Sequence, residues 1–451
     1  MAVDSRHPEY EAAAPQWSRA RDVLSGEDAV KAAGAKYLPR MDSQSDVEYA
    51  AYVARASFFG ATARTLEEYL DLIFRKAPVL DVAGSEQLQR FVRNCDRWGA
   101  DFVRYARRVV REVLSVGRAG SLVLWDHSGP KGQPGVRLWR AEDILDWEVE
   151  RVGERVVLSR VVLRDPPSAG GCGETGGGRI WVYQMLGGAC VQESLELTAG
   201  GWALVDRVSV MSNGVELPFI PFVFHGPRDA RPEVDRLPLA DVIAANLDHY
   251  RLDADYKHGL HFAALPTAWV SGFDKGASLR IGSSAAWVSE VPGATAGFLE
   301  FSGAGLAHLE RAMDKVEQRM ALLGARMTTG VGTGVPGTSV AATDGGGGDL
   351  CGLGSIVGAL NESLSRVLQL AQWWFEGGEL ESQGAKFAMN TDLGAGAMSG
   401  EEINAVVAAW RSGAISRETM LERLKRGEVL PDGRSVEREK ALIYGKTQGG
   451  S

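Results

Sequence analysis

LAHLERAMDKVEQRMALLGARM, residues 306–327, is the stretch that decides the fold. Its apolar side chains recur at alternating steps of three and four, which predicts one long α-helix with a narrow a/d seam. The seam comprises Leu306, Leu309, Met313, Val316, Met320, Leu323 and Met327. A seam of this width favours packing against a second long helix. Between the seam positions lie four cations, Arg311, Lys315, Arg319 and Arg326, mixed with acids. A solvated flank and a basic stripe that faces a channel both remain open for them.

The segment directly behind this helix has almost no residue that could anchor a core. It reads TTGVGTGVPGTSVAATDGGGGD (328–349), and its glycines are Gly330, Gly332, Gly334, Gly337, Gly345, Gly346, Gly347 and Gly348. A structureless segment of this length is rare inside a compact region unless it is a linker or has a function. Residues 332–337 match GxGxxG, but they follow a helix and contain a proline, which argues against a dinucleotide site. A further helix is predicted behind the segment, with one apolar stripe from Ile356 to Trp374 and an end at Gly377.

Upstream, the first third of the chain is typical of helices. Helix formers run from Asp46 to Ala77, and a second helix is predicted from Gln87 to Val116. The second helix would bury one stripe, comprising Leu88, Phe91, Cys95, Trp98, Phe102, Ala106, Val109 and Val113. Seven arginines lie between these positions (Arg90, Arg93, Arg97, Arg104, Arg107, Arg108 and Arg111). They are interpreted as a solvated face, with contact to a partner or nucleic acid as the alternative.

Between the two helical parts, short β-branched and aromatic runs predict strands over residues 120–224. The run DPPSAGGCGETGGG (165–178) interrupts them and is predicted to be a surface loop. A helix is then expected from Leu239 to Phe262, followed by strand-like pieces between residues 266 and 301. The tail predicts three short helices, opening near Ser399, Ser416 and Ser435. Together these elements predict an α+β fold.

Composition limits the function. The 451 residues carry 49 Lys and Arg against 58 Asp and Glu, a net charge of -9, which excludes nucleic-acid binding through overall positive charge. Four separated cysteines without a CxxC pair argue against a zinc knuckle and a disulfide-stapled domain. No secretion signal and no membrane-spanning stretch is visible, so no membrane partner is expected.

No catalytic, metal or cofactor site emerges from the motifs. The pair His258 and His261, near His249 and Asp255, lacks a convergent third ligand and is interpreted as polar helix-end residues. No GxSxG elbow, HExxH helix or kinase signature is present. We therefore expect a protein that is not an enzyme, with no catalytic residues, no metal and no cofactor.

Four stretches resemble the portal proteins of tailed bacteriophages, the rings through which the genome enters and leaves the capsid. YLPRMDSQSDVEYAAYVARASFFGATARTLEEYLDLIFRKAP (37–78) is similar to the opening of one portal subfamily. LPLADVIAANLDHYRLDADYKHGLHFAALPTAWVSG (237–272) is similar to the helix that enters the stem and to the start of the clip. Residues 306–375 resemble the second stem helix, the tunnel loop and the kinked helix behind it. MNTDLGAGAMSGEEINAVVAAWRSGAISRETMLERLKRGEVLPDG (389–433) is similar to the C-terminal region. The insertion at 165–178 departs from the family pattern.

The resemblance implies a portal fold with an α/β wing, a two-helix stem, a small α/β clip, a tunnel loop with a long helix, and a helical crown. The implied regions are an N-terminal wing (1–236), a stem helix (237–263), a clip (264–302), a second stem helix (303–328), a tunnel loop (329–350), a long wing helix with its return (351–390) and a crown (391–451). The seam would then pack on the partner stem helix, and the four cations are candidate DNA-facing positions.

The resemblance also implies partners and a location. These are further copies of the chain in a ring of twelve, double-stranded DNA that passes through without tight binding, the large terminase subunit, a head–tail adaptor and the major capsid protein, with a scaffolding protein as a further candidate. The expected location is the portal vertex of the virion, after assembly in the host cytoplasm. Another phage connector ring and a nucleic-acid-processing enzyme with an unrecognised site remain as alternatives.

Overall fold

The computed structural model describes residues 3–82, 84–126, 132–165, 178–212, 214–264, 267–273, 287, 289–299, 303, 305–329, 352–391, 393, 400–426, 429–430 and 436–447. The helices within these ranges are α1 (Pro8–Ser25), α2 (Glu27–Ala32), α3 (Asp46–Arg55), α4 (Ala61–Phe74), α5 (Glu86–Arg93), α6 (Phe102–Val116), α7 (Ala240–Ala264), α8 (Leu306–Thr329), α9 (Leu353–Glu376), α10 (Gly400–Arg411), α11 (Arg417–Arg426) and α12 (Val436–Thr447).

The strands within the same ranges are β1 (Val79–Asp81), β2 (Ala119–Asp126), β3 (Gln133–Arg140), β4 (Ile144–Val152), β5 (Arg155–Arg164), β6 (Arg179–Leu186), β7 (Ala189–Thr198), β8 (Gly201–Ser209), β9 (Met211–Ser212), β10 (Val215–Glu216), β11 (Phe222–His225), β12 (Thr267–Ser271), β13 (Thr295–Leu299) and β14 (Lys386–Ala388). Helices and antiparallel sheets therefore make up the chain, and the predicted α+β class is confirmed.

The chain divides into two compact units. Unit 1 contains residues 1–10, 68–235 and 325–451, and unit 2 contains residues 11–67 and 236–324.

Unit 1 is organised around antiparallel sheets. A three-stranded sheet has the order β11–β2–β3, and a five-stranded meander runs β4–β5–β6–β7–β8. Helix α9 packs on the three-stranded sheet, where the Trp374 indole donates a 3.0 Å hydrogen bond to the Val123 carbonyl. Its predicted stripe from Ile356 to Trp374 is buried, so this helix is confirmed as predicted. The strands predicted over residues 120–224 are confirmed as well, since β2–β8 and β11 lie in this interval.

The predicted helix over residues 87–116 is wrong in its middle. Helix α5 ends at Arg93, and α6 begins after Asp101, whose carboxylate accepts a 2.8 Å hydrogen bond from the Arg104 amide. Between the two helices, backbone amides donate hydrogen bonds to the side chains of Asn94 and Asp96 instead of continuing the helix. Short polar side chains favour such local bonds over helix formation. Seven residues of the predicted stripe are buried, but Trp98 is 93% exposed.

Unit 2 is mainly helical, and here the single predicted run over 46–77 is also wrong. Helix α3 opens with a capping box formed by Ser45 and Glu48 and ends at Arg55. The chain is then extended at Ala56, and α4 begins at Ala61. Side chains of α7 bind the interrupted backbone, so a tertiary contact overrides local helix propensity. A two-stranded antiparallel ribbon, β12–β13, lies between α7 and α8 and places Trp269 opposite Gly297. Within the interval 266–301 where strand-like pieces were predicted, β12 and β13 form, but the described residues 287 and 289–291 are not in a strand.

Candidate functional site

Helices α7 and α8 of unit 2 form an antiparallel hairpin. Two contacts define its register: His249 Nε2 lies 3.1 Å from Glu317 Oε1, and a Cβ added to Gly259 would lie 2.9 Å from Leu306 Cδ2. The ten residues from His249 to Gly259 on α7 therefore lie alongside the eleven residues from Glu317 back to Leu306 on α8, so the two helices run in opposite directions. The helices have 25 and 24 residues, so each is about 36–38 Å long. The hairpin is thus a long arm that carries the β12–β13 ribbon between its two helices.

A buried amide holds the first half of α7 to the start of α4. Asn246 is fully buried, and its Oδ1 accepts hydrogen bonds from the Thr62 amide at 3.1 Å and the Thr62 hydroxyl at 2.8 Å. Its Nδ2 donates to the Phe59 carbonyl at 2.6 Å. Because the first amides of a helix have no partner within that helix, Asn246 acts as a cap supplied from elsewhere in the chain. Two turns later the Asp253 carboxylate accepts a 2.6 Å hydrogen bond from the Ser57 amide.

The histidine group that the sequence singled out lies farther along α7. The Tyr52 hydroxyl donates to Asp255 Oδ1 at 2.5 Å, and the pKa of Tyr52 is raised, mainly by burial and then by this carboxylate. Arg55 lies 3.2 Å from His261 Nε2. Burial lowers the pKa of His258, and Arg55 lowers it further. No group of three potential metal ligands occurs among the residues that the structure describes.

Burial fades along α7 towards the ribbon. Buried residues of α7 occur up to Ala254, whereas later positions are half-buried or exposed. Along α8, the described positions from Leu306 to Gly324 are half-buried or exposed except for the buried Met320. Five apolar side chains near the ribbon are 44–53% exposed: Leu260, Phe262, Trp269, Val291 and Phe298. This group is called the ribbon-end apolar set below.

The structure locates most of the predicted α8 residues. The seam residues Leu306, Leu309, Met313, Val316 and Leu323 are half-buried, and Met320 is buried. The three described cations, Arg311, Lys315 and Arg319, are exposed and are called the α8 cations below. The side chains of Arg326 and Met327 lie outside the described residues, as do all eight glycines proposed for the loop between Gly330 and Gly348. The insertion at 166–177 also lies outside the described residues.

Unit 1 contains a polar network that the sequence did not indicate. Ser121 Oγ lies 2.5 Å from both the Tyr105 hydroxyl and His225 Nε2, and His225 Nδ1 lies 2.8 Å from Ser363 Oγ. All four side chains are buried, and burial lowers the pKa of His225 to about 3. A hydroxyl beside an imidazole resembles a nucleophile–base pair. Because these atoms are sealed from solvent, the network instead joins α6, β2, β11 and α9.

The cysteines within the described residues are buried thiols. Cys95 and Cys190 form no disulfide, and burial raises the pKa of each thiol to about 12.

Across the described ranges, no helix is both long and apolar enough to cross a membrane.

Residues 238–375 match a protein family described as a domain of unknown function, DUF4055. This interval begins just before α7 and ends in the last turn of α9, so it encloses the hairpin, the ribbon and the glycine-containing segment. Among curated proteins, no sequence matches this chain significantly.

Three solved structures are similar to the chain at low identity. A chain in the neck of an empty GTA particle, computed with C6 symmetry, has a TM-score of 0.40 and 13% identity, over 82% of this chain and 89% of that chain. A chain in the virion of a native gene transfer agent (GTA) particle has a TM-score of 0.37 and 14% identity, over 89% and 99%. A chain in the neck of a native GTA particle, computed with C12 symmetry, has a TM-score of 0.35 and 13% identity, over 85% and 94%. All three TM-scores lie below 0.5, so these similarities carry no inference about function.

Proposed function

We propose that this chain is a subunit of a bacteriophage-type portal, a ring of about twelve copies at one capsid vertex. In this role the ring admits double-stranded DNA driven by the terminase motor, releases it on ejection and provides the docking surface for head–tail adaptors. The chain acts as a conduit and not as an enzyme. The α7–α8 hairpin is the stem, the β12–β13 ribbon belongs to the clip, and the segment after α8 is the tunnel loop.

The observation that carries the proposal is the uneven burial of α7 and of the ribbon that follows it. The first half of α7 is fixed by the buried Asn246, whereas the ribbon-end apolar set is about half exposed. Trp269 and Phe298 lie on opposite faces of the β12–β13 ribbon, so both of its faces carry uncovered apolar surface, which is suited to contact with partners on both sides. A helical arm of about 37 Å that one copy does not cover suits a stem packed side by side with neighbouring stems.

The charge of α8 supports a conduit. The α8 cations are exposed, but Glu310, Asp314 and the half-exposed Glu317 alternate with them along the helix. Each Lys or Arg that neutralises a phosphate adds sequence-independent affinity. Balanced charge on the helix, together with a net charge of -9 for the chain, would leave DNA free to slide.

The proposal is tested by the assembly state of the purified full chain. Native mass spectrometry over a range of concentrations, with class-averaged electron images, should give closed rings of twelve or a neighbouring number with a central channel. The ring should also bind the large terminase subunit encoded in the same phage genome, which separates a portal from another connector ring. A monodisperse monomer under all conditions would overturn the proposal.

A further inference from the structure

Helix α3 is held within unit 2 by polar contacts more than by burial. Of its ten residues, Tyr52 alone is buried. Two of its side chains contact α7: the Tyr52 hydroxyl donates to Asp255 Oδ1, and Arg55 Nη2 lies 3.2 Å from His261 Nε2. An element with few buried apolar contacts opens at a low free energy. The docking of α3 therefore depends strongly on its polar contacts with α7.

The contact between Arg55 and His261 requires a neutral imidazole. A guanidinium carries hydrogen-bond donors and no acceptor, and it stays charged at any pH at which proteins are folded. His261 Nε2 is therefore the acceptor in this contact, and the ring proton is on Nδ1. A protonated imidazole has donors at both nitrogens, so protonation would set two donors and two positive charges against each other. The contact exists only while His261 is uncharged.

A second histidine at the same contact has the same preference. His258 lies one turn before His261 on α7, and its ring packs edge to face on Tyr52 with the ring centroids 5.1 Å apart. Its Nδ1 is buried and has no hydrogen-bond partner within the described part of the chain. Burial and the positive charge of Arg55 both lower the pKa of His258. Docking of α3 thus disfavours a proton on either ring.

The other charged groups around the two rings do not reverse this preference. Asp255 on α7 and Glu48 on α3 raise the pKa of His258, but Arg55 acts more strongly than either carboxylate. Asp255 accepts from Tyr52, and Glu48 is bound to Ser45 in the capping box of α3. Lys257 on α7 adds a further positive charge, and its ammonium lies 3.2 Å from Asp253. Within the described ranges, neither imidazole has a carboxylate at ion-pair distance.

Nearer the start of α7, a third histidine has the opposite preference. His249 Nε2 lies 3.1 Å from Glu317 Oε1 of α8. A carboxylate at this distance stabilises a protonated imidazole. Mild acid should therefore strengthen the contact of α7 with α8 under the same conditions in which it weakens the contact of α7 with α3.

We propose that α3 is a pH-sensitive element of unit 2, in which proton uptake by His258 and His261 releases α3 from α7 while α7 stays paired with α8. The docked state binds fewer protons than the opened state, so its stability is present above the ordinary histidine pKa of about 6.5 and is lost as pH falls below that value. Between pH 7.5 and 5.5, each histidine that is protonated only in the opened state raises the opening constant about tenfold. The inference does not depend on the proposed function, because it concerns contacts within one copy.

Hydrogen exchange of the full chain, followed by mass spectrometry at pH 7.5 and 5.5, tests the release of α3. Protection factors are compared, since they divide out the pH dependence of the chemical exchange step. Peptides of α3 should lose protection by at least about tenfold in acid, whereas peptides of α9 should keep theirs and report that the chain remains folded. Equal protection of α3 at the two pH values would overturn the proposal.

Substitutions of His261 separate titration from packing. His261→Gln keeps an acceptor for Arg55 but cannot be protonated, so its pH response should be about tenfold smaller than that of wild type. His261→Lys carries a charge at both pH values and should release α3 already at pH 7.5. His308→Gln is the matched control, because His308 is an exposed histidine of α8, and it should respond as wild type does. A full pH response in His261→Gln, or wild-type protection of α3 in His261→Lys, would refute the proposal.

Discussion

Replacement of Asn246 by alanine should loosen the root of the α7–α8 hairpin more than any surface change on α7. The substitution removes three hydrogen bonds that are 2.6–3.1 Å long. It leaves the amide and the hydroxyl of Thr62 buried without a partner, because Thr62 is fully buried. Each buried donor that loses its partner costs about 1–3 kcal/mol, so the expected loss is about 3–5 kcal/mol once the Phe59 carbonyl is included.

Hydrogen exchange followed by mass spectrometry is the suitable assay, because two compact units make a single unfolding free energy ambiguous. Peptides that cover the starts of α4 and α7 should lose protection, while peptides of β2 and α9 should keep theirs. Asp248→Asn is the matched control on the same helix. It removes only an exposed ion pair with Arg251 (2.9 Å), which is worth at most about 1 kcal/mol.

A double-mutant cycle with Thr62→Val isolates the capping interaction. Because both substitutions remove the same hydroxyl–amide contact, their effects should fall short of additivity by about 0.5–3 kcal/mol. An Asn246→Ala variant that lowers the opening free energy by less than about 1 kcal/mol would refute the reasoning, and additive effects would refute the direct contact.

Three further changes follow from the structure. A Cβ at Gly120 would overlap the Phe222 ring, so Gly120→Ala should lower the unfolding free energy of unit 1 by about 1–3 kcal/mol. Gly358→Ala should instead raise this free energy by about 0.5–1 kcal/mol, because a Cβ at Gly358 meets nothing within 4 Å. Equal urea midpoints of the two variants would contradict this expectation. Burial raises the pKa of Asp143 to about 6, so the folded state retains this proton to higher pH than the unfolded chain. The stability that protonated Asp143 contributes should therefore be lost as pH rises from about 4 through about 6. The difference in unfolding free energy between wild type and Asp143→Asn should change over that window, and a constant difference would exclude a raised pKa of Asp143. Under the portal proposal, reversal of the α8 cations to glutamate should change the packaged genome length, and unchanged packaging would exclude a channel-facing role for them.

The elements that could be predicted from the sequence are those whose packing repeats along one helix. The boundaries of α8 and α9 agree with the apolar stripes to within a few residues, because a buried stripe requires 3.6-residue periodicity. The stripe of residues 87–116 was also correct at seven of eight positions, yet the helix there is interrupted. Periodicity predicts which residues are buried, but it does not predict where a side chain such as Asn94 accepts a hydrogen bond from a backbone amide and interrupts the helix.

The interruption between α3 and α4 has a different cause and could not have been predicted locally. Asn246 and Asp253, which bind the broken backbone, lie more than 180 residues away in the sequence. Similarly, nothing local distinguishes Trp98 from its buried neighbours in the stripe. The exposure of Trp98 depends on the conformation of the chain between α5 and α6. The positive φ of Arg97 is the structural feature that distinguishes this position from the buried positions of the stripe.

The uncovered apolar side chains of the described residues include two kinds. The ribbon-end apolar set is spread over the end of α7, the β12–β13 ribbon and the chain beside it, and its members are 44–53% exposed. Trp98 is 93% exposed, and a single exposed tryptophan needs a specific pocket and not merely a neighbouring helix. Under the portal proposal, packing between neighbouring hairpins would therefore cover the ribbon-end apolar set and would leave Trp98 to a contact of a different kind.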